Sequence, residues 1–175
     1  MLKYILIIAV AFGAYKGFME SDGFGLLGNT ITSDDYHFEV TFSSKPEMKT
    51  NTVNLPGYPE MKLTSYSTKE DNLFCMASAS DFSNQTEEVG SLYDQIDSAE
   101  RRLLNSFGGS IISSDTIYKG SIEGYEINSQ TKDEKLIKNQ GFIKSEILYT
   151  LMCHYDDDEK NKSAVKDFMY SFQFI

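Results

Sequence analysis

Two cysteines, two histidines and one acidic run are the side chains whose types and spacing could do chemistry in this sequence. Cys75 and Cys153 each fall in a stretch with strand character. In an oxidising compartment they can form a disulfide, and closing a loop of about 78 residues would stabilise the fold by roughly 4 kcal/mol in the chain-entropy model. Pairing also requires the strand order to bring their Cα atoms within about 7 Å. The other reading is two buried thiols that behave as small hydrophobes. No Cys-x-x-Cys occurs, which argues against thiol–disulfide exchange chemistry. His37 and His154 sit beside aromatic residues at alternating positions, and His154 is followed closely by Asp156, Asp157 and Asp158. A general base or a metal ligand would need convergent carboxylates or a nucleophile. The acidic run lacks the alternating ligand spacing and central glycine of a calcium loop. It reads as a solvated turn, with His154 and the three aspartates the weak candidates for a cation and no dedicated metal or cofactor site expected.

Glycine-rich phosphate loops, Gly-x-Ser-x-Gly and His-Glu-x-x-His are all missing from the sequence. No catalytic residue is therefore assigned, and the expectation is a protein that is not an enzyme. Asn84-Gln85-Thr86 and Asn161-Lys162-Ser163 match the glycosylation tripeptide, which recurs often by chance.

Any such site must be positioned by a chain of 175 residues with 41% hydrophobic and 24% charged residues, the balance of one globular domain. Twelve phenylalanines and eleven tyrosines, with no tryptophan, point to a core of aromatic strands. The net charge of −10 repels phosphate backbones, so no nucleic-acid partner is expected. Acidity of this kind also simply keeps a domain soluble.

The N-terminal end sets the compartment. Lys3 precedes an uncharged run from Tyr4 to Tyr15, followed by Lys16, the layout of an export signal. As a helix this run spans about 18 Å, and about 24 Å if continued through Met19, against roughly 30 Å of bilayer hydrocarbon. Residues 1–19 thus read as a signal anchor that tilts or partners in the membrane, or as a signal peptide cut after Gly13 with Ala11 at the small-residue position. No cysteine lies nearby, which excludes a bacterial lipoprotein. Residues 20–35, rich in Gly, Ser, Asp, Asn and Thr, read as a flexible tether, and 36–175 as the globular domain.

Within that domain, Tyr36, Phe38, Val40 and Phe42 alternate with polar residues as in a half-buried strand. Strands follow at about 50–55, 61–67 and 72–80, the last apolar or small on both faces and so covered on both sides. Val89, Leu92, Tyr93, Ile96, Ala99, Leu103 and Phe107 recur at helical spacing. They predict an amphipathic helix over about 87–107, capped by Asn84 or Thr86 and ended by Gly108-Gly109. Four more strands are expected at about 111–118, 124–130, 135–144 and 146–155. Val165, Phe168, Met169 and Phe172 then mark a closing helix.

Phe38-Glu-Val-Thr-Phe with Lys45-Pro46, then Gly120 to Gly124-Tyr-Glu-Ile127, Leu148-Tyr-Thr-Leu151 and Val165 to Phe172, occur in an order that resembles the fold family of the PsbP extrinsic subunit of photosystem II and the bacterial envelope protein DcrB. The resemblance covers about 36–175. It implies an α+β domain: an antiparallel sheet of seven or eight strands packed with two helices in an α/β/α sandwich, here preceded by an N-terminal apolar helix. It further implies a non-enzymatic accessory, assembly or binding role outside the cytosol, with no catalytic residue set to carry over. The expected function is thus a cell-envelope accessory protein, anchored in the inner membrane through Tyr4 to Met19, with its domain in the periplasm and a protein partner in a membrane complex. The alternative is a periplasmic ligand- or cation-binding protein using a pocket between sheet and helix.

Overall fold

The computed structural model describes residues 29–53, 60–83 and 90–175. The alternating segments become strands in the order β1 (Thr30–Ser33), β2 (Phe38–Thr41), β3 (Glu47–Val53), β4 (Met61–Glu70) and β5 (Leu73–Asp81). Helix α1 (Leu92–Phe107) leads into β6 (Ser110–Lys119), β7 (Ile122–Gln130), β8 (Leu136–Lys144) and β9 (Ile147–Tyr155). Helix α2 (Glu159–Ser171) and the short β10 (Gln173–Phe174) close the domain.

The main sheet has seven strands in the order β3-β4-β5-β9-β8-β7-β6, all neighbours antiparallel. It consists of two hairpin meanders, β3–β5 and β6–β9, that meet along a single seam between β5 and β9. Along that seam Cys75 lies directly opposite Cys153 and Ala77 opposite Leu151. β5 is buried at every position from Leu73 to Ser80, as its two-sided apolar pattern predicts.

Each face of the sheet has its own core. Leu63, Met76, Ile127 and Met152 pack under Ala99 and Leu103 of α1. On the opposite face Cys75, Ala77, Tyr149 and Leu151 meet Val165, Phe168 and Met169 of α2. A second, three-stranded sheet, β1-β2-β10, lies over this second core. Its Phe38 contacts Tyr66, Tyr149 and Phe172 with ring centroids 6.1, 5.9 and 5.6 Å away. The result is the α+β sandwich expected from the sequence.

Boundaries depart from expectation in two places. Thr30 to Ser33, assigned to the tether 20–35, is a strand paired with β2, and Ile31 and Ser33 are both buried. The folded part therefore starts before Tyr36, because a partner strand gives even a lone isoleucine a surface to cover. Helix α1 begins at Leu92, capped by Ser91, whose hydroxyl accepts from the Asp94 amide while the Asp94 carboxylate accepts from the Ser91 amide. The caps expected at Asn84 and Thr86 lie outside the described residues. So does the apolar segment Tyr4–Met19, and among the described residues no helix is long and apolar enough to cross a membrane.

The C-terminal end of α1 does follow the sequence. Gly108 (φ 69°) donates from its amide to the Leu104 carbonyl at 2.8 Å, and Gly109 (φ 83°) continues in the left-handed region. A side chain at Gly109 would overlap the Gln130 carbonyl.

Candidate binding cleft

The two helices are offset across the sheet. α1 packs on β6 and β7 from one side, whereas α2 packs on β5 and β9 from the other. Among the described residues, no helix therefore packs squarely over the half of the second face formed by β6, β7 and β8. Sequence alternation places Glu126, Asn128, Lys138 and Gln140 there, whereas Tyr125, Ile127 and Ile137 point into the core under α1. A polar row thus continues the face on which β5 and β9 are apolar.

Between this row and the flank of α2 lies a cleft of about 810 Å³, within the size range of small-molecule sites. Glu126 is the hub of its floor. It accepts from Lys138 Nζ at 2.8 Å, Gln140 Nε2 at 2.7 Å and Asn128 Nδ2 at 3.3 Å. Burial alone would raise the Glu126 pKa, but the donors from Lys138, Gln140 and Asn128 together outweigh it and hold the carboxyl below its ordinary value. Gln140 is buried, and with its amide nitrogen committed to Glu126 its Oε1 has no hydrogen-bond partner among the described residues.

The mouth is framed by lysines. Lys119 donates to the Met169 carbonyl at 3.0 Å, and its Nζ lies 5.9 Å from the ring centroid of Tyr170. Lys166 Nζ lies 5.9 Å from the same ring. Neither meets a carboxylate among the described residues, whereas Lys138 pairs with Glu126 and Lys162 with Asp157. Burial lowers the Lys119 pKa. In a chain of net charge −10, four lysines and one glutamate line this cleft.

The side chains singled out from the sequence fall elsewhere. Cys75 and Cys153 are buried register partners with sulfurs 2.05 Å apart and Cα atoms 4.2 Å apart, a disulfide at the seam. The weak cation candidates do not converge. Asp156 pairs with Lys135 at 3.0 Å, Asp157 with Lys162 at 2.5 Å, and Asp158 caps α2 by accepting from the Asn161 amide at 2.8 Å. His154 is half-buried with its ring centroid 5.7 Å from that of Phe107, and burial, reinforced by Lys135, lowers its pKa. Among the described residues no group of three or more His, Cys, Asp or Glu side chains could hold a metal ion. His37 takes a positive φ of 51° in the turn before β2, and its carbonyl accepts from the Ile175 amide at 3.0 Å. Asn161 lies on α2, buried, and Asn84 lies outside the described residues. The cleft residues went unmarked because no local motif links Lys119, Gln140 and Lys166; only the alternation of β7 and β8 hinted at a polar face.

Seven antiparallel strands between two helices, with a small sheet closing one side, define a PsbP-like fold. The solution structure of cyanobacterial PsbP (CyanoP) from Synechocystis sp. PCC 6803 is similar, with a TM-score of 0.61 over 89% of this chain and 98% of that one. Sequence identity is 11%, so the likeness is one of fold. No family model matches the sequence, and no curated protein is similar to it in sequence.

Proposed function

We propose that this protein is a non-enzymatic accessory or assembly factor of the cell envelope, anchored in the inner membrane by Tyr4–Met19 with its α+β domain on the periplasmic side. The observation that carries this reading is the buried cystine Cys75–Cys153 in the middle of the sheet, a bond characteristic of compartments outside the reducing cytosol. The lysine-flanked apolar run upstream supplies the means of export. In this role the domain contributes contacts rather than chemistry, as a subunit of a larger membrane complex. Fractionation tests it. The full chain should sediment with membranes until detergent is added, carry no free thiol, and bring down a stoichiometric membrane protein from mild detergent. Full-length protein soluble in the cytosol with both thiols reduced would overturn it.

A second reading, an envelope ligand-binding protein, is favoured by one observation, the cleft between the bare half-face of the sheet and α2. Its lysines argue against a cation as the ligand.

A further inference from the structure

We propose that the cleft binds an amphipathic organic anion: a carboxylate or similar head group on an apolar body that carries a hydroxyl at its inner end. This rests on the ligand-binding reading above and names the chemistry of that site. Three features of the cleft each correspond to one part of such a molecule.

The head group is set by Lys119 and Lys166, which reach the same Tyr170 ring from opposite elements, one the end of edge strand β6 and the other the middle of α2. Neither ammonium is neutralised by a carboxylate among the described residues. Two unneutralised cations beside one aromatic ring make a locally positive mouth on a strongly acidic protein, where an anion is held and a cation repelled.

The apolar body is set by the wall behind them. Ile117 of β6 and Val165 and Met169 of α2 also line the cleft. Burying an alkyl chain against such a surface is favourable by roughly 25 cal/mol per Å².

The inner hydroxyl is set by Gln140. Its Oε1 is a buried acceptor lacking a donor among the described residues, beside a Glu126 already occupied by three. Leaving such an oxygen unsatisfied costs free energy that a donor recovers. The neighbouring groups are committed to each other and the oxygen is enclosed, so a ligand hydroxyl satisfies it only as the Gln140 side chain turns toward the cleft, and it is this contact that the ω-hydroxyl reads.

Isothermal titration of the purified full-length protein with ω-hydroxydecanoate, decanoate and decyltrimethylammonium tests the proposal. ω-Hydroxydecanoate should bind tightest, decanoate several-fold more weakly, and the cation not at all. Lys166→Glu, an exposed change on α2, should weaken the two anions by about tenfold without moving the thermal midpoint. Lys62→Glu, the same charge change on β4, should leave the affinity as it was. If none of the three amphiphiles binds, the ligand-binding reading itself falls. If the cation binds as well as the anions, the anionic class is wrong; if Lys166→Glu matches Lys62→Glu, the anions bind away from this cleft and the proposal falls. Equal affinity for decanoate and its ω-hydroxy form would remove Gln140 as a ligand contact.

Discussion

The ammonium of Lys119, the last residue of β6, donates to the carbonyl oxygen of Met169 in α2 at 3.0 Å, and to that of Tyr170 at 3.3 Å. α2 has no basic residue in its own last turn. The orphan carbonyls that end every helix, with their partial negative charge, are here met by a cation from a strand on the far side of the cleft. One side chain therefore ties the edge of the sheet to the end of the helix.

Lys119→Met keeps the aliphatic stem and removes the donor. We expect a loss of about 1.5–3 kcal/mol, the range for hydrogen bonds to a charged group, read as a lower urea midpoint with an unchanged slope. An unchanged midpoint would mean that α2 is held by its apolar face alone.

The Cys75–Cys153 bond closes a loop of 78 residues. Replacing both cysteines by alanine should cost roughly 4 kcal/mol, measured by denaturant unfolding of the oxidised wild type against the double variant. Reductant should act slowly on the native protein, because both residues are buried. Rapid reduction without unfolding would contradict this account of the seam.

Tyr125 of β7 lies across Gly141 of β8, its register partner, and a methyl group at position 141 would overlap the Tyr125 ring. The ring is buried and cannot swing into solvent. Gly141→Ala should thus destabilise by about 1–3 kcal/mol, as overpacking does. The paired change Gly141→Ala with Tyr125→Leu should recover part of that loss in thermal melts. Equal melting of wild type and Gly141→Ala would refute the close approach.

Acid should weaken the fold in two stages. His154 is held below its ordinary value of 6.5, by burial first and Lys135 second. The unfolded chain therefore takes up this proton before the folded one does, and stability declines as pH falls below about 6.5, levelling off once the folded imidazole titrates. Glu126 is held below 4.5 because the donors around it outweigh its burial. Its contribution is present above that pH and fades as pH falls through the lower folded value. Melting temperature followed from pH 8 to pH 3 should show both stages, and His154→Gln should abolish only the upper one.

Much of this fold was legible because the periods are strong. β9 alternates Tyr149, Leu151, Cys153 and Tyr155 inward on one side, and the apolar residues of α1 recur at helical spacing. Short elements were not legible. Thr30 to Ser33 offers a single large apolar residue amid polar ones, and Gln173–Phe174 spans two residues. Each is a strand only because β2 offers it a hydrogen-bonding edge, which no local window contains. The partners of the acidic run were not legible for a related reason. Asp156, Asp157 and Asp158 are adjacent in sequence, but one caps a helix and two face different lysines. The cleft was hidden most completely, since it depends on which strands α2 leaves bare.

The two meanders of the main sheet are each continuous in sequence, β3 to β5 and β6 to β9, and strand pairing joins them only where β5 runs beside β9. The one cystine crosses that line. Cleavage anywhere between residues 75 and 153 then leaves two fragments still covalently joined at the centre of the sheet. A nicked molecule would run intact on a non-reducing gel and separate only after thiol treatment.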